Sequence, residues 1–236
     1  MIVVSLTDVG KMRKNNQDVP VCAEGLYGVA DGMGGHKGGE VASAGARDVL
    51  LGVLKGKKPS AAALGTGIEA ANRRLFLRQK EESELAGMGT TLTVLWPDEK
   101  NVYIGHVGDS RAYRLRGDEW KQITRDHSVV QELMEHGVLT AEQAAHHPMR
   151  NIITRAVGTE ESVEVDTLTE TRRKGDVWLV CTDGLHGMVD DAFLRDTLKD
   201  NPPKEAAKKL MQGALDAGGR DNITFVILKD EEEHDE

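Results

Sequence analysis

Four aspartates stand in separated turns, most of them flanked by glycine. They are Asp18 in Asn15-Asn16-Gln17-Asp18, Asp31 in Ala30-Asp31-Gly32-Met33-Gly34-Gly35, Asp183 in Cys181-Thr182-Asp183-Gly184, and Asp221 in Gly218-Gly219-Arg220-Asp221-Asn222. Three of them lie at or just past the end of an apolar run that reads as a strand. Carboxylates converging from strand ends, with no Cys or obligatory His beside them, suit hard cations that take oxygen ligands, such as Mg²⁺ or Mn²⁺. Two such ions side by side are a recurrent device for phosphate ester hydrolysis. The pattern therefore points to a metal-dependent phosphatase. An isolated Asp-Gly pair is usually no more than a turn; the joint occurrence of several is what shifts the balance.

Other residues add roles around these carboxylates. The glycines after Asp31 permit positive φ and let a main-chain carbonyl approach a cation, which suits a site where Asp31 bridges two ions and the Gly32 carbonyl completes one shell. No Gly-Lys-Ser/Thr follows, so a nucleotide P-loop is disfavoured. Arg13, on the segment leading to Asp18, carries a guanidinium that can fork two phosphoryl oxygens; on its own it would read as one more surface charge in Lys11-Met12-Arg13-Lys14. Asp109, in Gly108-Asp109-Ser110-Arg111, reads equally as the cap of a tight turn paired with Arg111 or as an outlying carboxylate that recruits a further metal beside Asp183. His36 could serve as a general acid for the leaving group, or be a solvated loop histidine. His127, in Asp126-His127-Ser128, reads as part of a helix-start cap assembly.

The elements that must hold these groups follow from periodicity. Strands are expected over 2–7, 19–30, 90–96, 101–107, 112–115, 120–123, 163–168, 177–181 and 223–228. Helices are expected over about 39–54, from a Ser60 cap to about 80, and over about 190–199 and 203–217. Residues 127–155, with short helices at 129–136 and 141–145 among polar connections, read as a flap. Strands in runs with helices in separate pairs favour antiparallel sheets flanked by helices over a βαβ fold.

The 236 residues are 39% hydrophobic, and no linker-like stretch divides them, so one domain over 1–229 is expected. The net charge of −9 owes six acids to the tail 230–236, which reads as disordered. Five of the remaining acids are the candidate ligands, so the rest of the surface is not acidic, and no basic stripe argues for nucleic acid. Cys22 and Cys181 lie in strand-like contexts and are expected as buried, reduced thiols. No apolar run is long enough to span a membrane and no signal peptide opens the chain, so the expectation is a cytoplasmic monomer.

The motifs, taken together and in order, resemble the metal-dependent protein serine/threonine phosphatases of type 2C (the PPM family) in their compact bacterial form. The matches run from Thr7-Asp8-Val9-Gly10 and Asn15-Asn16-Gln17-Asp18 through Asp31-Gly32-Met33-Gly34-Gly35-His36, Gly89-Thr90-Thr91 and Val107-Gly108-Asp109-Ser110-Arg111. They continue through Asp126-His127-Ser128, Thr154-Arg155-Ala156-Val157-Gly158 and Thr182-Asp183-Gly184-Leu185 to Gly219-Arg220-Asp221-Asn222. The resemblance implies an α-β-β-α sandwich of two antiparallel sheets between helix pairs, with a small flap subdomain. It implies Asp18, Asp31, Asp183, Asp221 and the Gly32 carbonyl as ligands of two Mn²⁺ or Mg²⁺ ions, and Asp109 with Asp183 at a third, weaker ion. It implies Arg13 as the phosphate anchor. The chain departs from many eukaryotic relatives in carrying Met33 where they have the His of Asp-Gly-His, Gln17 where they often have Glu, and the less usual His186; none of these removes a direct ligand.

The expected reaction is hydrolysis of phosphoserine and phosphothreonine on proteins by a water bridging two divalent ions, with a cognate Ser/Thr kinase and its targets as partners. Two alternatives stand beside it: a pseudophosphatase that only binds phosphorylated partners, and a phosphatase of small phosphoesters.

Overall fold

The run Val177–Cys181 shows no polar alternation because both of its faces are covered: all five residues are buried. The same holds for most of Ile223–Lys229. Such strands belong at the centre of a layered structure, and the structure, a computed structural model, places them there. It describes residues 1–23, 25–34 and 38–231.

Among the described residues the strands are β1 (Ile2–Asp8), β2 (Asp18–Ala23), β3 (Leu26–Met33), β4 (Gly89–Thr90), β5 (Leu92–Pro97), β6 (Asn101–Val107), β7 (Arg111–Arg116), β8 (Glu119–Gln122), β9 (Asp166–Thr171), β10 (Val177–Cys181) and β11 (Ile223–Lys229). They form a five-stranded sheet in the order β1-β11-β10-β7-β8 and a six-stranded sheet in the order β2-β3-β5-β6-β9, with β4 paired to β3. Every pairing between these strands is antiparallel. The helices are α1 (Gly38–Leu54), α2 (Ala61–Glu81), α3 (Val129–Glu135), α4 (Ala141–Ala145), α5 (Asp183–His186), α6 (Asp191–Asp200) and α7 (Pro203–Asp216).

Three cores separate four layers. Leu50, Leu64 and Ile68 of α1 and α2 pack on the six-stranded sheet through Val21, Leu26 and Val94. Leu194, Leu198 and Leu210 of α6 and α7 pack on the five-stranded sheet through Leu179, Phe225 and Ile227. Between the sheets, Val29, Leu95 and Ile104 meet Trp178, Val180 and Val226. The period of two puts Phe225 and Ile227 toward the helices and Val226 and Leu228 toward the other sheet. This is the expected α-β-β-α sandwich.

Several boundaries differ from the sequence reading. The strand expected over 19–30 is a hairpin, turned at Gly25 with φ +77°, because Cys22 pairs Tyr27 and Ala23 pairs Leu26. The strand expected at 163–168 begins at Asp166: its register follows β6, with His106 opposite Asp166 and Asn101 opposite Thr171. Val163 and Val165 instead pack against the core beneath α2. Cys181 is buried as expected, but Cys22 is exposed; on the edge strand β2 it points away from the core that Val21 enters. The expected caps are present. Ser60 accepts from Ala63 N at 3.2 Å, Ser128 caps α3, and Thr140 and Gln143 form a capping box on α4.

Met1 and the start of the acidic tail are pinned at the far end of the sheets. Asp230, expected at the start of the acidic tail, is buried and takes Arg172 Nε at 2.9 Å on both oxygens, while Glu231 takes the Met1 amino group at 2.9 Å. The rest of that tail lies outside the described residues. No helix among them is long and apolar enough to cross a membrane.

Candidate metal centre

β2 and β3 are registered so that Asp18 lies directly opposite Asp31. Like charges facing across an antiparallel pair are destabilising, so this register needs a compensating cation or proton. It is fixed by the backbone: Gly32 N donates to Gln17 O at 3.1 Å, and Asp31 N donates to Thr91 Oγ1 at 3.0 Å while Thr91 N returns a bond to Asp31 O at 2.8 Å. Gly32 is buried where a Cβ would lie 2.0 Å from Gly39 O and 2.6 Å from Gln17 O. Only glycine lets the strand approach the start of α1 this closely.

The other two aspartates come from the five-stranded sheet. Asp183 opens α5 just beyond β10, and Asp221 precedes β11. Gly184 holds the two loops in contact, since a Cβ there would sit 1.8 Å from Asn222 O. Asn222 ties in the segment bearing Arg13 and Asp18: its Oδ1 accepts from Gln17 N at 2.8 Å, and its Nδ2 donates to Val9 O and Asn15 O at 3.0 Å each. Arg13 Nη2 lies 2.7 Å from Asp221 Oδ2. Thr182 Oγ1 donates to Asp18 Oδ2 at 2.9 Å, leaving Asp18 Oδ1 buried with no hydrogen-bond partner. Thr182 and Asn222 adjoin Asp183 and Asp221 in sequence, the signal that could find them; Thr91 meets Asp31 only through the fold, sixty residues away.

Asp31, Gly32, Asp109, Asp183, Asp221 and Arg13 all line one cleft of about 290 Å³, and Asn151 and Ile153 of the flap line it too. Asp18 lies behind it. Asp109 sits in the crossing from β6 to β7, where His186 Nε2 donates to its carbonyl at 3.1 Å. Burial, then the nearby Arg111 charge, holds His186 neutral with its pKa lowered to about 3. The turn pairing of Asp109 with Arg111 is not what forms. Arg111 instead grips Asp126, with Nε at 2.9 and 3.0 Å and Nη2 at 2.7 Å. His127 is structural, accepting from Gly108 N at 3.0 Å and meeting Asp166 Oδ2 at 3.1 Å. His36 falls outside the described residues.

The electrostatics of the cleft are those of carboxylates crowded together. Loss of solvent raises the Asp18 pKa to about 7, with Asp183 repelling it and bonds from Thr182 and Thr224 opposing the rise. Burial and then Asp183 push Asp109 up to about 7. Burial and then Asp221 push Asp183 up to about 6. Asp31 is raised well above the carboxylate range by burial and then by Asp18, Asp183, Asp109 and Asp221. All four shifts report a place where negative charge has been concentrated and cation charge is wanted.

The donor set is oxygen only, which fits Mg²⁺ or Mn²⁺. Among the described residues no three His, Cys, Asp or Glu side chains already form a closed cage for one ion. Such cations characteristically use one or two carboxylates each and keep several waters, so carboxylates spread along a cleft fit a pair of hydrated ions better than one caged ion. The buried, unpartnered Asp18 oxygen also fits a cation in that donor set.

The sequence profile of protein phosphatase 2C matches residues 16–217. The chain belongs to the protein phosphatase 2C family. Among its relatives, the serine/threonine phosphatase stp of Listeria innocua is 38% identical over 235 residues, covering 94% of this chain and 93% of that protein. The crystal structure of serine/threonine phosphatase Stp1 from Staphylococcus aureus superposes with a TM-score of 0.92 at 36% identity, covering 98% of this chain and 95% of that one. The catalytic domain of PstP in complex with two manganese ions superposes at 0.88 with 35% identity, covering 96% of each chain. The 2C fold of this chain thus brings Asp18 and Asp31 from one sheet to Asp183 and Asp221 from the other.

Proposed function

We propose that this cleft is a two-ion centre at which phosphoserine and phosphothreonine on proteins are hydrolysed. The chain is a serine/threonine protein phosphatase, a hydrolase, by family. The observation that carries the site assignment is the convergence of Asp31, Asp109, Asp183 and Asp221 with Arg13 on one cleft, with Asp18 directly behind Asp31.

Asp18, Asp31, Asp183, Asp221 and the Gly32 carbonyl would hold two Mn²⁺ or Mg²⁺ ions, and Asp109 with Asp183 a third. When bound, such ions supply Lewis-acid charge and lower the pKa of water enough to make a nucleophile at neutral pH. The chain's own groups do the rest. Arg13, whose side chain is 54% exposed at the rim, turns its guanidinium from Asp221 to the phosphoryl oxygens and fixes the ester in line. Thr182 and Thr91 hold Asp18 and Asp31 in place, so little reorganisation is needed as charge develops. Flap residues Asn151 and Ile153 also line the cleft. Phosphorylated proteins are the substrates, with a cognate Ser/Thr kinase and its targets as partners.

Phosphate release from a phosphothreonine peptide, measured with Mn²⁺, with Mg²⁺ and with EDTA, tests this. Release that requires the metal and is lost in Asp31→Asn is the expected result. Binding without release would establish the pseudophosphatase instead, and faster turnover of sugar phosphates than of peptides would move the target to small esters.

A further inference from the structure

The basic run Lys11-Met12-Arg13-Lys14 is only partly accounted for by Arg13. Lys11 and Lys14 are exposed, and so is Arg220 on the loop that carries Asp221. The two loops are fastened together beside the cleft. Lys11 N donates to Gly219 O at 2.7 Å, Arg13 bonds Asp221, and a Cβ on Gly10 would strike Asp221 O at 2.2 Å. Lys11 and Lys14 thus flank Arg13, and Arg220 precedes Asp221, on the two loops whose Arg13 and Asp221 line the cleft; the three form a rim just outside it. None of the three takes part in an ion pair among the described residues.

The charge of the centre itself does not explain this rim. Two divalent ions with Arg13 would balance the five aspartates, so a loaded centre would not need the three rim cations to offset its charge. A chain whose net charge is −9 then presents a local cluster of positive charge on these two loops. Fields of this kind act over about 10 Å at 0.1 M salt and attract complementary segments. We propose that Lys11, Lys14 and Arg220 read acidic residues flanking the phosphorylated residue, so that the protein substrates of this phosphatase are acidic phosphosegments. This rests on the phosphatase reading and deepens it. Each extended residue spans at most about 3.3–3.6 Å, so a long Lys or Arg side chain beside Arg13 meets substrate positions close to the phosphate.

The experiment compares two matched phosphothreonine peptides, one with glutamates and one with lysines beside the phosphorylated residue. Initial rates give kcat/KM, and fluorescence anisotropy gives the affinity of the non-hydrolysable phosphonate versions. The wild type should favour the acidic peptide by about tenfold in both readouts, since each rim pair adds a modest increment. The preference should fade as salt approaches about 1 M, where screening is short-ranged. Combined Lys11→Glu, Lys14→Glu and Arg220→Glu should abolish or invert it. Equal handling of the two peptides by the wild type, or a preference that survives in the triple variant, overturns the proposal while leaving the phosphatase reading intact. No release from either peptide with metal present would instead remove the reading on which it rests.

Discussion

Asp18 and Asp31 face each other across the β2–β3 hairpin, and only one oxygen of Asp18 has a hydrogen-bond partner. This pair makes the metal-free protein pay for its own site. Asp18 titrates at about 7 in the fold, Asp109 at about 7 and Asp183 at about 6, all above the value of about 3.9 for an unfolded aspartate.

The sign of the pH dependence follows. Between about pH 4 and about pH 7 the native state binds more protons than the unfolded state, so stability contributed by these groups is present at low pH and lost as pH rises through the folded pKa values. In EDTA, the melting temperature near pH 5 should exceed that near pH 7.5. Mn²⁺ should reverse the order by replacing the protons. A metal-free Tm that climbs steadily across this range would contradict the crowding.

Asp31→Asn removes the carboxylate on which the others converge. Turnover of a phosphothreonine peptide should fall by at least about a hundredfold at saturating Mn²⁺, because ligand charge to the centre is lost, while the metal-free Tm should rise or hold. Loss of activity together with a lowered metal-free Tm would mean Asp31 is a structural residue.

Arg13→Ala should raise KM and lower kcat/KM by about tenfold to a hundredfold through loss of charge-assisted bonds to phosphate. Arg13→Lys should recover only part, since an ammonium cannot fork two oxygens. Full recovery by lysine would reduce Arg13 to a point charge.

Thr182→Val strips the side-chain hydroxyl that donates to Asp18 Oδ2 at 2.9 Å. Leaving that group buried and unsatisfied costs about 1–3 kcal/mol, readable in urea denaturation. Mn²⁺ affinity should fall by about tenfold to a hundredfold, the usual effect of removing a group that orients a ligand. Unchanged manganese binding by calorimetry would separate Thr182 from the site.

Gly184→Ala places a methyl group 1.8 Å from Asn222 O, and Asn222 is the residue that stitches the Arg13 segment to the Asp221 loop. The backbone must move apart. A lower Tm and weaker Mn²⁺ binding should appear together, whereas Gly52→Ala, with nothing within 4 Å, should cost neither.

The aspartates were legible because chemistry and turn propensity coincide in them: glycine beside a carboxylate is visible in one dimension. The doubly covered strands β10 and β11 were legible for a similar reason, as unbroken apolar runs. What escaped was set by pairing partners. β9 is a polar edge strand whose start is dictated by β6, and nothing in Asp166-Thr167-Leu168-Thr169 announces that. The break at Thr91 between β4 and β5 likewise exists because Asp31 bonds there. Asp109 could not be resolved from its turn, since the competitor for Arg111 was Asp126, fifteen positions away. Thr182 and Asn222 act only through neighbours brought by the fold.

Because one layer of the sandwich contributes Asp18 and Asp31 and the other contributes Asp183 and Asp221, the ions would rivet two slabs whose shared interior is greasy, as where Leu95 meets Val180. A slippage between slabs too small to melt the protein would still prise the rivet open. Catalytic competence in this enzyme is therefore a gauge of alignment, arriving last as the chain folds and failing first as it loosens.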